Sequence, residues 1–331
     1  MTVAVVILNW NGKALLEKFL PSVVKYSKEA EIYVADNAST DNSVEFLQNQ
    51  YPHVKILRNT ENGGYAKGYN DALKNVSEDI YVLLNSDVEV TQNWLKPLME
   101  TFRKKDTIFA AQPRLLDYNN KEYFEYAGAA GGFLDRFGYP FCRGRIFSTV
   151  EKDTGQYEEA TSIFWASGAC LFVRREAFWK AAGFDEDLFA HQEEIDLCWR
   201  LQAIGGEIYY VPDSEVYHVG GATLHKSHPR KTFYNFRNSL LLLVKHVNRN
   251  QMWWVLLVRL LLDGIAAVQF LASGKLSHFT ALFRAHLSFY SLVPKFLKKR
   301  KHIPKTVDYK RINSIVWHYY VKGRRRFNEL Y

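Results

Sequence analysis

Short apolar runs recur through the first third of the chain, at Val3–Leu8, Ile32–Ala35, Lys55–Leu57, Ile80–Leu84 and Ile108–Ala111. Each is too short for a helix and lacks the alternation of a half-exposed strand, so each reads as a strand covered on both faces. Between them, Ala14–Tyr26, Asp41–Gln50 and Ala66–Val76 place apolar residues at helical spacing. Ser39-Thr40-Asp41 offers a cap for the second of these helices, and Gly63-Gly64 precedes the third. Strands that alternate with helices make βαβ units and a parallel sheet with right-handed crossovers. The expected fold is therefore α/β, a Rossmann-like, mostly parallel sheet flanked by helices.

The pattern continues with a strand at Trp165–Arg174, helices at Glu176–Ala182 and Glu193–Ile204, and two strands at Glu207–Val211 and Glu215–His218. Residues 118–160 mix glycines, aromatics and turn formers and take no assignment. Beyond them, Asn238–Val247, Trp253–Ala272 and His278–Leu297 read as amphipathic helices with Trp, Phe and Leu beside Arg, Lys and His. The chain thus divides into a catalytic-type α/β unit, residues 1–225, and a C-terminal helical extension, residues 226–331.

Charge sharpens that division. The 331 residues are 47% hydrophobic and 24% charged, which excludes wholesale disorder, and carry a net charge of +8. From Lys226 onward, 21 Lys and Arg face three acids (Asp263, Asp308, Glu329), whereas the first 225 residues hold 22 basic and 32 acidic side chains. Basic residues beside bulky apolar faces suit a helix lying in a membrane interface and drawn to anionic lipid. The same extension could also pack on the acidic body, and the two readings are compatible. Nucleic acid is not an expected partner, because no zinc knuckle, RNA-binding aromatic signature or helix-turn-helix accompanies the charge. Arg259 and Asp263 interrupt the longest apolar stretch, Met252–Ser273, so a membrane-spanning helix is not expected. Three cysteines (Cys142, Cys170, Cys198), none in a C-x-x-C pair, argue against a disulfide scaffold or structural zinc and suit a reducing compartment. The N-terminus has no basic region or cleavage site and reads as a strand, not a signal peptide.

In an open α/β sheet, ligands bind beyond the carboxyl ends of the parallel strands. Three expected strands end there in polar residues: Asn9-Trp10-Asn11-Gly12, Asp36-Asn37 and Asn85-Ser86-Asp87. Asn, Asp and Gly are also turn formers, but three coincident sites with matching chemistry outweigh that reading. A carboxylate at Asp36 can accept hydrogen bonds from a base or ribose, and one at Asp87, on a tight turn, can hold a hard divalent cation. Asn62-Gly63-Gly64 would let phosphates approach a helix N-terminus. In His191-Gln192-Glu193-Glu194-Ile195-Asp196, Glu193 and Asp196 are expected on one helix face and Glu194 on another. These acids serve either as first-turn helix capping or as a general base with a raised pKa. His218, at a strand end, is a candidate metal ligand or a structural histidine.

Taken in order, VVILNWNG, VADNASTD, NGGYAKGYNDA, LLNSDVEV, ASGACLFVRREAF, GFDEDLFAHQEEIDLCWR and VYHVGG resemble the family-2 glycosyltransferases of the GT-A fold, in their rhamnosyltransferase-like, polysaccharide-assembly branch. The match runs from Val3 to about Leu224, with a short segment at Tyr234–Asn238. The resemblance implies an inverting enzyme that moves a hexosyl or deoxyhexosyl group from a dTDP-, UDP- or GDP-sugar to a glycan acceptor, lipid-linked, at the cytoplasmic face of the inner membrane. It assigns Asp36 to the nucleotide base, with Asn9, Asn11 and Asn37 in the same pocket, and puts Gly64, Lys67, Asn85 and Ser86 on the nucleotide-sugar side. It assigns Asp87 and His218 to Mn²⁺ or Mg²⁺, with Asn85 in place of the first acid of the usual D-x-D turn. Glu194 falls where the family has its Asp base, which leaves Glu194 or Glu193 to take the proton, with Asp196 a third candidate. Trp165, Ser167 and Gly168 border the implied acceptor pocket. A sugar nucleotidyltransferase fits less well, since no Gly- and Lys-rich triphosphate loop lies near the N-terminus. A catalytically degenerate, membrane-recruited scaffold is the non-enzymatic alternative.

Overall fold

The computed structural model describes residues 1–220 and 228–331. Gly221, which ends the VYHVGG motif, and the expected domain boundary at residue 225 lie outside the described residues. In chain order, β1 (Val3–Asn9), α1 (Lys13–Tyr26), β2 (Glu31–Asp36), α2 (Ser43–Gln50), β3 (Lys55–Arg58), α3 (Gly64–Leu73) and β4 (Ile80–Asn85) alternate as the apolar pattern requires. Strands β4, β1, β2 and β3 lie side by side and parallel. Successive residues of β1 enter opposite cores, Ala4 and Val6 on one face and Val3, Val5 and Ile7 on the other. Two-sided burial is why these strands read as continuous apolar runs.

The chain continues through β5 (Val88–Val90), α4 (Leu95–Lys104) and β6 (Ile108–Asp117) to four short strands, β7 (Gly132–Asp135), β8 (Pro140–Cys142), β9 (Arg145–Ile146) and β10 (Thr149–Val150). It returns through β11 (Thr161–Ile163), β12 (Cys170–Arg174), α5 (Arg175–Lys180), α6 (Glu193–Ala203) and β13 (Glu207–His218). The main sheet runs β11-β13-β6-β12-β4-β1-β2-β3, with β5 paired to β13, and the unassigned stretch 118–160 supplies most of a separate small sheet. The two strands expected at 207–218 are one strand, broken in register between Val211 and Glu215. Pro212 has no N–H for the ladder, and Ser214 donates its hydroxyl to the Trp94 carbonyl at that break. The strand expected from Trp165 starts only at Cys170, because Ala169 N–H turns back to the Ser167 hydroxyl at 3.2 Å.

The extension consists of α7 (Pro229–His246), α8 (Arg249–Ala272), α9 (Leu276–Arg300) and a strand, β14 (Lys310–Ile312), which joins the small sheet beside β7. By length and composition, helix α8 is long and apolar enough to cross a membrane. Its two charges do not interrupt an outer face, because both are buried. Arg259 donates to Phe137 O at 2.9 Å and to the Ser239 hydroxyl at 2.8 Å, while Asp263 faces His286 Nε2 at 3.1 Å. What faces outward is Trp253, Trp254, Leu257, Leu261, Ile265 and Val268, each more than half exposed.

Candidate active site

Register assembles the polar strand ends. Asn9 pairs with Asp36 across β1 and β2, and Leu8 pairs with Asn85 across β1 and β4. The antiparallel pairing of β5 with β13 sets His218 opposite Val88, and Val219 N–H donates to Asp87 O at 3.1 Å. A cavity of about 530 Å³ opens at this edge, a size suited to a small ligand.

On the expected nucleotide side, Asn11, Asn37 and Gly64 line the cavity, while Asn9 and Asp36 are buried just behind its wall. Asn9 Nδ2 donates to Asp36 Oδ1 at 3.3 Å and to the Ser39 hydroxyl at 3.2 Å. Asn11, with φ of 50°, accepts from Thr40 N–H at 2.7 Å, so both asparagines hold the 39–41 loop. Gly12 is required there, since a Cβ would come within 2.5 Å of Asn9 Oδ1. Asn37 Nδ2 donates to Asn62 Oδ1 and Gly64 O, both at 3.0 Å. Lys67 does not reach the cavity, being held by Asp71 and, at 3.4 Å, by Glu61.

The phosphate site expected at the start of α3 is already filled by protein. Tyr65 N–H and Ala66 N–H both donate to Phe189 O, at 2.9 and 3.3 Å, and Gly64 N–H donates to Asn62 Oδ1 at 3.0 Å. Gly64 has φ of 72°, and a Cβ on it would meet Phe189 O at 2.7 Å. Gly64 therefore serves close backbone approach, and the N–H groups at this helix start are taken by protein acceptors.

Asp87 and His218, the two residues expected at a metal, lie together as an ion pair, and among the described residues no group of three or more His, Cys, Asp or Glu side chains is placed to hold a metal ion. His218 Nε2 lies 3.1 Å from Asp87 Oδ1, roughly the spacing of neighbouring ligands on a small octahedral cation with bonds near 2.1 Å. Glu125 Oε1 lies 3.3 Å from His218 Nδ1, the arrangement in which an outer carboxylate leaves Nε2 for a metal. Asn85 Nδ2 is 3.4 Å from His218 Nε2, and Asn85 and Ser86 line the same wall. Burial disfavours the charged imidazole, but Glu125 and Asp87 outweigh it and push His218 up to about 10. Burial likewise opposes ionisation of Asp87, and His218 outweighs it and holds that carboxyl below its ordinary value. Glu125 was invisible in the sequence because it lies in the unassigned 118–160 stretch.

Glu193 and Glu194, at the first turn of α6, both line the cavity. Burial pushes Glu194 up to about 7, against its backbone hydrogen bonds and the charge of Lys231. Burial and then the neighbouring Glu194 hold Glu193 well above the carboxylate range, and its Oε2 has no hydrogen-bond partner. Asp196 does not share their position and is no base. It is fully buried, bonded to Arg200 at 2.7 Å, to Lys245 at 2.7 Å and to His246 at 2.7 Å, which ties α6 to α7. Burial opposes its ionisation, but Arg200 and Lys245, with the hydrogen bond from His246, outweigh that and hold it well below its ordinary value.

Of the residues expected around an acceptor, Ser167 and Gly168 line the cavity and Trp165 does not. Trp165 is buried, donating its indole N–H to Phe133 O at 3.1 Å. Residues the sequence reading left out complete the wall: Trp10, half exposed at the mouth; Tyr65, donating to Gly168 O at 2.8 Å; Phe189, His191, Arg230 and Lys231. Phe189, His191 and Gln192 all have positive φ, and Asn238 holds this loop by donating to Leu188 O, Ala190 O and His191 O at 2.7–3.0 Å. The N-W-N and F-A-H strings carried aromatic signals at these places.

Residues 4–181 match the glycosyl transferase family 2 domain. Among curated proteins, the chain is 26% identical over 285 residues to the N-acetylglucosaminyl-diphospho-decaprenol L-rhamnosyltransferase of Mycobacterium tuberculosis, a span of 80% of this chain and 90% of that protein. It is 23% identical to rhamnosyltransferase WbbL of Escherichia coli, over 70% of this chain and 87% of that one. Among solved structures, S. aureus TarS 1-349 in complex with UDP-GlcNAc superposes with a TM-score of 0.56 at 13% identity, over 91% and 92% of the two chains. The mannosyltransferase of Pyrobaculum calidifontis with GDP-Man and Mn²⁺ gives a TM-score of 0.51 at 14% identity, over 91% and 84%. Both structural likenesses establish the GT-A fold.

Proposed function

The chain belongs to glycosyl transferase family 2, and we propose that it moves a sugar, with inversion, from a nucleotide-sugar to a hydroxyl of a lipid-linked glycan in cell-surface polysaccharide assembly. The observation that carries this reading is that Glu194 and the Asp87–His218 pair open onto one cavity. Both relatives above are rhamnosyltransferases, and one is named for a diphospho-decaprenol acceptor, so L-rhamnosyl donors are the first to test.

Glu194, with its pKa near 7, is ionised in a useful fraction of molecules at neutral pH and takes the proton of the acceptor hydroxyl. The freed oxygen forms a bond to the anomeric carbon as the bond from that carbon to the diphosphate breaks, and the electron pair leaves with the nucleoside diphosphate. Burial holds the Glu193 carboxyl well above the carboxylate range, and it lines the same cavity. Asp87 and His218 would hold Mn²⁺ or Mg²⁺, which supplies positive charge to the departing diphosphate. Asn9 and Asp36 fix the loop against which the nucleotide base lies, with Trp10 at the mouth offering an exposed ring.

The outward apolar face of α8, beside the basic run Lys298-Lys299-Arg300-Lys301 at the end of α9, supports a peripheral position on an anionic membrane at its cytoplasmic face. The deciding panel is thermal shift with UDP, GDP, dTDP and CMP, each with and without Mn²⁺. A Mn²⁺-dependent rise with one diphosphate supports the reading. No rise with any of them contradicts it and leaves the degenerate scaffold.

A further inference from the structure

Resting on the lipid-linked acceptor of the proposed function, we infer that Arg230 and Lys231 form a subsite for the diphosphate bridge of a polyprenyl-diphosphate-linked sugar, whose lipid runs out over the turn between α8 and α9. Both residues line the cavity. Arg230 is exposed, and its Nη2 donates to the Tyr234 hydroxyl at 3.4 Å. It is nonetheless held in place: its guanidinium carbon lies 5.5 Å from the centre of the Phe189 ring and 5.7 Å from that of Tyr234, two rings stacked 5.6 Å apart. Such a planar, pre-positioned fork suits a diphosphate better than a solvated lysine would.

Lys231 stands over the Tyr126 ring at 5.7 Å, and its charge reaches both Glu194 and His191. Lys231 thus acts on the proposed base, whereas the charge partner of Asp87 is His218. A hydroxyl at Glu194 belongs to the acceptor sugar, and Arg230 and Lys231 line the same cavity. The α3 N-terminus, filled by Phe189 O, offers no competing anion site on that side.

The turn between α8 and α9 carries exposed apolar residues and is tied to the start of α7. Thr232 and His278 share a hydrogen bond of 2.7 Å, and Phe270 meets Phe236 edge-on at 6.5 Å and His278 in a tilted contact at 5.4 Å. These contacts bring the turn after α8 against the first turn of α7. Around that turn Val268, Leu271 and Leu276 are 66%, 47% and 62% exposed. Cavity, cation pair and apolar surface thus follow in the order sugar, diphosphate and hydrocarbon, which a nucleotide-sugar lacking a lipid tail does not need.

The test uses the full chain in detergent micelles with two acceptors, farnesyl-diphosphate-linked N-acetylglucosamine and octyl β-N-acetylglucosaminide. In R230A/K231A, kcat/KM for the diphosphate acceptor falls about a hundredfold, the loss of two charge-assisted contacts, and by roughly tenfold more than for the octyl glycoside. R230K/K231R recovers most of the loss, and the melting-temperature rise with nucleoside diphosphate and Mn²⁺ persists in both variants. Equal losses on the two acceptors, or loss of the nucleotide shift, overturn the assignment and move the cations to the donor. A wild-type chain that binds nucleotide but uses neither acceptor instead overturns the acceptor class on which the inference rests.

Discussion

His218 Nε2 lies 3.1 Å from Asp87 Oδ1 although 131 positions separate them, because β13 ends antiparallel to β5 at the edge where the parallel strands terminate. The pair is brought together by sheet register, and Glu125 braces it from the other side of the imidazole. This is the end of the cavity at which we propose the cation binds.

Asp87→Ala therefore abolishes the Mn²⁺-dependent part of nucleotide binding. Thermal shift with the preferred nucleoside diphosphate checks this, and an undiminished Mn²⁺ response in the variant would refute the role of Asp87. Glu125→Gln, which keeps the shape but weakens the brace, lowers Mn²⁺ affinity about tenfold to a hundredfold.

Asp196 has a structural role, so its removal registers in stability. Asp196→Ala leaves Arg200 buried without its carboxylate and Lys245 with Asp185 alone, and costs about 3–5 kcal/mol, read as a lower midpoint in urea. A variant as stable as the wild type would show that the network contributes nothing.

His246, packed in the same network, has its pKa pushed down to about 4 by burial. Its folded value lies below the unfolded one of 6.5, so the unfolded chain binds the proton more readily and stability is lost as pH falls from about 6.5 towards 4. By pH 5 this one residue lowers stability by about 2 kcal/mol, and His246→Gln flattens that part of the profile. Urea midpoints at pH 7.5 and pH 5 measure it.

Burial of α8 side chains in lipid predicts that Ile265→Asp with Val268→Asp reduces flotation with anionic liposomes while leaving the melting temperature in detergent unchanged, because both residues point outward. Flotation equal to wild type would remove α8 from the membrane contact.

The parts legible in the sequence are those set by local pattern. Strands β1, β2 and β4 were readable because both faces are buried, and the polar residues that stop them mark the ligand edge. Glu125 was not readable, because it lies among strands of two to four residues held by contacts with distant segments. Helical spacing grouped Glu193 with Asp196, but the partners of Asp196 sit about 50 positions away on α7 and turn it inward. Gly63-Gly64 looked like a phosphate loop until Phe189 O, brought in from more than 120 positions away, filled the helix start. Arg259 and Asp263 appeared to break an apolar helix, whereas their pairing with Tyr139 and His286 hides them on its inner side.

The pH–rate profile follows from Glu194. Its pKa near 7 predicts that kcat/KM rises with pH through about 7 and levels above it, since the ionised carboxylate is the form that takes the proton. An acid limb unchanged in Glu194→Gln would assign that ionisation to another group.

The central claim is that Glu194 is the base, and steady-state transfer at saturating donor by Glu194→Gln and Glu193→Gln tests it most directly. The account predicts that Glu194→Gln lowers kcat by about a thousandfold with its Mn²⁺-dependent nucleotide shift intact, while Glu193→Gln loses far less. Wild-type kcat in Glu194→Gln, or the larger loss in Glu193→Gln, would contradict it.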